Sequence, residues 1–439
     1  MDTGARLEKQ FFRYALPSMA SQLLCGFFIV VDGFFIGRNM GDAGLAAINV
    51  AWPLVQVLLA VGMALGIGGS VCMATALGAG DAPAAGRARG NTLAALGVAT
   101  VVLSVSLYFL HPYILPCIGA DAALMPLACE YLRVVCALAG FQIFSNGLIP
   151  MLRGCGRAMA AMGVMVVGLV ANIVLDWLFI DVFRWGMWGA AVATMAAQAG
   201  CVALALPLVL RTKAVRLLGA DFRPSRRVLA QICKLGASPF GLSVSVSIIL
   251  LLNNVQAQRY GGTEAVAIYA ILSYVVGTFL PLMSGVGEGV QPLVSYANGA
   301  HDRQALAHLR RKGFATVVVC GVLCGVLCFL LRTQLPLIFG ASGATAVDAR
   351  DALWSLAVAF PLVGAARFGA SYFYAVSQAK ASSLLAYSEP LLVQPVFLLI
   401  LPLFFGVQGI WAAYPACAVV MAAAMALLLR RHVRGQAQG

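Results

Sequence analysis

Long apolar runs alternate with short polar breaks along the whole chain, and the runs have the length that a hydrocarbon layer demands. A helix needs about 20 mostly apolar residues to cross the core of a bilayer. Reading between charged or Pro/Gly-marked breaks predicts twelve spans, at roughly 14 to 37, 45 to 77, 91 to 113, 122 to 151, 158 to 181, 187 to 210, 232 to 257, 265 to 297, 313 to 331, 350 to 375, 382 to 405 and 408 to 429. Composition agrees: 62% of the 439 residues are hydrophobic, and 29 basic plus 16 acidic residues are too few to cover soluble domains of this size. Disorder, collagen and a disulfide scaffold are excluded on the same grounds. The first span has an apolar run longer than a signal peptide's and carries Asp32 near its far end, so it is expected to stay in the membrane.

The net charge of +13 does not point to nucleic acid, because the basic residues sit between apolar runs instead of lining one exposed face. Their distribution reports orientation. Twelve spans put both termini on one side, and the connections on that side hold 22 Lys and Arg against five (Arg38, Arg184, Arg259, Arg332 and Arg350) on the other. The positive-inside rule then makes both termini cytoplasmic.

The two halves share one plan. A polar connection over 211–231 separates an N-terminal lobe, 1–210, from a C-terminal lobe, 232–439. Shifting the first half by 221 residues lays Gly41 on Gly262, Gly66 on Gly287, Gly68 on Gly289, and the motif at 78–81 (GAGD) on that at 299–302 (GAHD). A shift of 220 lays GMWGAAVA (186–193) on GVQGIWAA (406–413). Six spans per repeat keep both copies in the same orientation, so the axis relating them runs along the membrane normal with a cavity at their interface.

Ionisable groups at membrane depth are costly and mark function. In the first half these are Asp32 and Asp176, with Asn172 one helical turn before Asp176 on the same face and Thr194 early in the sixth span. At about 1.5 Å per residue, both aspartates sit about 27 Å from the cytoplasmic start of their spans, and Thr194 lies about 10 Å in from the outer side, so all reach the same depth. Two carboxylates, an amide oxygen and a hydroxyl form an all-oxygen set suited to Na+, for which a proton can substitute. The four histidines, His111, His301, His308 and His432, fall in expected loops or tails. The equivalents of these site residues in the second half are Asn253, Val393, Phe397 and Tyr414, so the constellation belongs to one lobe only.

The second half holds its own anomalies in Glu288, Glu389 and Arg367, with Gln291 on the face of Glu288. Arg367 is expected either to pair with one glutamate or to leave a second proton or cationic-substrate site. Asp181, Arg133, Arg153 and Lys380, near helix ends, are expected to snorkel. Pro17 either permits a kink in the first span or marks only its start. Met63, Phe141, Phe144, Phe279 and Met283 are candidates to line the cleft. Twelve cysteines with no CxxC pair read as small packing residues; Cys320, Cys324 and Cys328 share a face without an accompanying histidine.

These features resemble the MATE family of multidrug and toxic-compound extrusion transporters over essentially residues 8–432, and within it the DinF-like and MepA-like bacterial branch. The resembling stretches are ALPSMASQLLCGFFIVVDGFFIGR, the glycine-rich second span running into ATALGAGD, LRGCGRAMAAM, NIVLDWLFI with GMWGAAVAT, and GVQPLVSYANGA. The resemblance implies an all-α membrane protein of twelve transmembrane helices, in two six-helix bundles related by a pseudo-twofold axis around a V-shaped cleft. It implies export of organic, mostly cationic and amphipathic compounds by antiport with Na+ or H+ across the cytoplasmic membrane of a bacterium. No enzyme activity, cofactor or nucleic-acid partner is implied, and the protein is expected to act as a monomer. The branch pattern places the cation site on Asp32, Asn172, Asp176 and Thr194 and a first-helix hinge at Pro17. Glu288, Gln291, Asn253, Arg367 and Met283 remain candidates for second-lobe or substrate contacts. A lipid-precursor flippase would need a cationic central cavity, whereas the buried groups here are mainly acidic. A membrane enzyme would need a nucleophile, metal set or phosphate loop near a membrane face, and none is found.

Overall fold

The computed structural model describes residues 3–212, 217–338 and 343–438. Among them every regular element is a helix. The N-terminal helix α1 (Thr3–Gly78) and its counterpart α7 (Arg226–Gly299) run for 76 and 74 residues, about three times what a bilayer accommodates. Each is broken once, at Gly41 (φ 61°, ψ −156°) and at Gly262 (φ 62°, ψ −154°), in a conformation that only glycine adopts at no steric cost. Past the break in α1, the Leu45 side chain lies 3.1 Å from where a Gly37 Cβ would stand, so the chain turns back and each long helix supplies two crossings.

The remaining crossings of the first half are α2 (Ala82–Cys117), the pair α3 (Met125–Ala137) and α4 (Ala139–Gly154), α5 (Ala158–Asp176) continued by a π-helical turn (Trp177–Val182), and α6 (Gly186–Leu210). The second half repeats them as α8 (Arg303–Leu330), the short α9 (Gln334–Ile338), α10 (Gly343–Ala352) with α11 (Trp354–Ala375), α12 (Ala379–Ser388) with a π-turn (Glu389–Val393) and α13 (Gln394–Phe405), and α14 (Val407–Gln438). Among the described residues nine helices are long and apolar enough to cross a membrane, ten when α3 and α4 count as one span. With both arms of α1 and α7 counted, the chain is a multi-pass protein of twelve crossings. The fourth crossing departs from the expected single helix, because α3 and α4 meet at 60°. Three of the histidines also differ from expectation: His111, His308 and His432 lie within α2, α8 and α14, which extend past the apolar cores of their spans.

Duplication is written into the backbone. Positive φ recurs at a spacing of 221 in Gly41 and Gly262, Gly80 and His301, and Gly156 and Ser377, and at 220 in Gly186 and Gly406. Asp81 and Asp302 cap α2 and α8 in the same way, accepting from Ala84 N at 2.8 Å and Ala305 N at 2.9 Å. Part of the connection between halves, 213–216, lies outside the described residues. The rest is tied down: Asn91 of α2 donates to the carbonyls of Asp221 (3.0 Å) and Arg223 (3.2 Å) and accepts from Ser225 N (2.7 Å).

The halves meet along α1 and α7, and the contact is self-complementary. Gly78 abuts the Tyr296 carbonyl while its repeat mate Gly299 abuts the Thr75 carbonyl. Gly285 stacks on Met19, where an added Cβ would lie 2.7 Å from Cα, and Gly289 stacks on Ala15 at 3.1 Å. Gly68 and Gly236 make the mirrored contacts with Ile232 and Ala64. Ser70 donates to Gln291, its own repeat mate, at 3.1 Å, so this hydrogen bond sits beside the pseudo-twofold axis. All these contacts lie on the side that carries both termini, where Glu8 of α1 also pairs with Lys312 of α8. Toward the other side, a Cβ at Gly26, Gly33 or Gly277 would meet nothing within 4 Å. The two halves are therefore in direct contact at the terminal side.

Adding a methyl at this contact should cost more than adding one elsewhere on the same helices. Gly299→Ala is expected to lower the thermal unfolding midpoint in detergent. Gly97→Ala, in open space on α2, should leave it unchanged or raise it through helix propensity.

Candidate cation site and cleft

The four polar residues of the first half converge. Asn172 and Asp176 occupy one face of α5, Asp32 comes from the first arm of α1, and Thr194 from the start of α6. Asn172 Nδ2 donates to Asp32 Oδ1 at 3.4 Å and Thr194 Oγ1 to Asp32 Oδ2 at 3.5 Å, contacts at the long end of hydrogen bonding. The Asp32 and Asp176 carboxyls lie side by side, and Tyr131 of α3 stands near both. Asn172 and Asp176 are 0% exposed and Thr194 6%.

The pocket is short of donors. Both oxygens of Asp176 and the Asn172 Oδ1 are buried without any hydrogen-bond partner in the protein. A buried carboxylate with no partner is costly, and a positive ion or a proton at the pocket would relieve that cost. Its donor atoms are all oxygen, which fits a hard cation. No group of three or more His, Cys, Asp or Glu forms a denser metal cluster among the described residues.

The second half places its polar residues differently. Asn253, the counterpart of Asp32, donates to Ile249 O of its own helix at 2.8 Å. Arg367 pairs with Glu389 at 3.5 Å and donates to Leu242 O (3.2 Å) and Ser245 Oγ (3.3 Å). Glu288 is taken by a residue from the other half: Arg153 Nη1 reaches Glu288 Oε2 at 2.9 Å, and Gln22 Nε2 donates to Oε1 at 2.7 Å. Arg153 therefore does not snorkel, since its partner is a buried carboxylate across the cleft. Asp181 lies at the exposed end of its span, accepting from Asn39 Nδ2 at 2.5 Å beside an open cavity of about 520 Å³. Gln291 donates to Ser295 Oγ at 3.0 Å and belongs to the closed contact. Met283 faces away from the cleft: it is 1% exposed and packs against Gly364 and Val317 in the core of the second half. Pro17 sits in unbroken helix, the single non-helical residue of α1 being Gly41, and Ser21 Oγ donates to the Pro17 carbonyl at 2.7 Å.

Sequence reasoning missed Tyr131 and the Arg153–Glu288 pair. Tyr131 lies in an ordinary apolar stretch with no local signal. Only knowledge of which spans are neighbours brings Arg153 and Glu288, 135 residues apart, to one place.

Comparisons with known proteins bear on the family and the fold. The MatE family model matches residues 17–178 and again 240–397, one match in each half. The chain belongs to the MatE family. Its relatives include the multidrug export protein MepA of Staphylococcus saprophyticus, 26% identical over 426 residues that cover 96% of this chain and 93% of the relative. MepA of Staphylococcus aureus MRSA252 is 24% identical over 423 residues, with the same coverage of both. Among solved structures, the outward-facing conformation of a multidrug resistance MATE family transporter superposes with a TM-score of 0.93 at 24% identity, covering 100% of both chains. The MATE fold is thus shared over the whole length.

A site built to hold an ion should be a weak point when nothing neutralises it. Asp176→Asn, which removes the charge and adds a donor, is expected to stabilise the protein by about 1–3 kcal/mol at alkaline pH without Na+. Acid or saturating Na+ relieves the wild-type pocket, so the gap between the two unfolding midpoints should close under either condition.

Proposed function

We propose that this MatE protein exports organic, mostly cationic amphipathic compounds across the cytoplasmic membrane, driven by entry of Na+ or H+ through a site formed by Asp32, Asn172, Asp176 and Thr194. The observation that carries this reading is the pair of partnerless Asp176 oxygens beside Asp32. Ion occupancy at that pair biases which side of the cleft opens, because a ligand shifts a conformational equilibrium only by its preference between the states. One Na+ or H+ moving down the membrane potential brings about 2.3 kcal/mol per 100 mV, which an exported monovalent cation offsets in one-for-one exchange, so a cationic drug is driven by the ion's concentration gradient or by a second ion per cycle. The division into lobes at 1–210 and 232–439, with both termini in the cytoplasm, follows the basic-residue distribution and the self-complementary contact. A single chain contains the complete site and cleft, which supports a monomer. The names of the MepA relatives supply the substrate class, multidrug export.

The test is transport in proteoliposomes carrying a fluorescent cationic dye, with pH and Na+ gradients imposed separately. Wild type should move dye under at least one gradient, and Asp32→Asn and Asp176→Asn should lose that gradient dependence. Equal dye movement in wild type and both variants would remove the site from the mechanism.

A further inference from the structure

The Arg153–Glu288 pair has an asymmetry that a simple structural latch does not need. Glu288 belongs to α7 in the second half, yet both of its polar partners, Arg153 of α4 and Gln22 of α1, belong to the first. The pair lies where the halves close, with side chains 5% and 11% exposed, and Cys25 and the buried Tyr374 stand beside it. Of the cross-half ion pairs among the described residues, the other, Glu8 with Lys312, is largely solvated and contributes little. Separating the halves at the terminal side strips Glu288 of both partners at once. It leaves a carboxylate at the middle of the opened cleft with an aromatic ring as neighbour, which is the chemistry that recognises an amphipathic organic cation.

We infer that Glu288 is the cation-binding residue for substrate in the terminal-side-open state, and that Arg153 is a tethered competitor which displaces the substrate's positive charge when that side closes. This rests on the reading of the protein as an exporter and adds to it a release step. The substrate's ammonium and the Arg153 guanidinium compete for the same two oxygens, and both cannot be bound. Closure therefore restores the ion pair and expels the drug toward the open side, without Glu288 changing its protonation. An uncharged substrate meets no such competition.

Three properties follow. Removing Arg153 leaves Glu288 paired with substrate in both states, so cationic drugs bind more tightly and leave more slowly. Restoring a positive charge of another shape restores release. Removing Glu288 weakens binding of cations and spares neutral compounds.

The test uses the purified full-length protein in proteoliposomes and detergent, with ethidium as the cationic probe and Nile red as a neutral one. Arg153→Gln is expected to lower the ethidium Kd by about tenfold and to lower kcat for export together with KM. Arg153→Lys should return both toward wild type, and Glu288→Gln should weaken ethidium binding by about tenfold with Nile red unchanged. Since Arg153→Gln leaves a buried carboxylate unpaired, its folding is checked by unfolding midpoint, which ethidium should raise by more than it raises that of wild type. Weaker or unchanged ethidium binding in Arg153→Gln, or equal effects on the two dyes, would overturn the competitor role and leave the pair as a latch. Binding decides this whether or not transport occurs, whereas wild type that exports no ethidium under any gradient counts against the exporter reading alone.

Discussion

Two carboxylates, Asp176 fully buried and Asp32 partly exposed, share one pocket with fewer donors than their oxygens require, and the proposed transport cycle depends on that shortage. Neither Asp176 oxygen is met by a donor in hydrogen-bonding geometry, and Asp32 receives long contacts from Asn172 and Thr194. A fold selected only for stability would fill such a pocket with apolar side chains or give it a fixed counter-ion. The second half does the latter: its buried Glu389 has Arg367, and the position of Asp32 is taken by Asn253, bonded to its own helix. Among the described residues no basic side chain pairs with Asp32 or Asp176, and in the proposed function their neutralising charge comes from outside the chain.

In the proposed cycle that pocket acts on the cleft through the contact between halves, where glycines let the backbones of α1 and α7 approach closely. Gly78 against Tyr296, Gly299 against Thr75, and Gly285 against Met19 bring the backbones of α1 and α7 together, and Phe11, Ala15, Ile67 and Val71 of α1 share one buried core with Leu235, Val286, Val290 and Val294 of α7. Such a surface can separate and re-form as a rigid-body motion of one bundle against the other. Asp32 rides on α1, the helix that forms both the pocket and the contact. On the inference drawn above, the Arg153–Glu288 pair would be made and broken by the same motion and would add a charge-specific step.

Much of this was legible in the amino-acid order, and the reasons differ by residue. Asp32, Asn172, Asp176 and Thr194 could be grouped because charge is rare in hydrocarbon and helix rise fixes depth, so a linear count locates each group. The repeat was visible through Gly41 and Gly262, whose backbone tolerates no other residue easily, and through the capping aspartates Asp81 and Asp302. Lateral arrangement was not legible. Arg153 looked like a group near a helix end because depth alone was considered, and Met283 looked cleft-lining because a helical face cannot be assigned without its neighbours. The π-turn after Asp176 and the 60° bend between α3 and α4 were not among the features read from the sequence.

The central claim is that occupancy of the aspartate pair decides how the two halves sit. It is tested most directly by spin-label distances across the terminal side, between Ala82 at the start of α2 and Gln304 at the start of α8, each replaced by cysteine in a background without native cysteines. With wild-type aspartates, the balance between short and long distances should shift on changing pH or adding Na+, and Asp32→Asn with Asp176→Asn should hold one distribution throughout. An identical shift in the aspartate variant would show that the pocket does not govern the cleft.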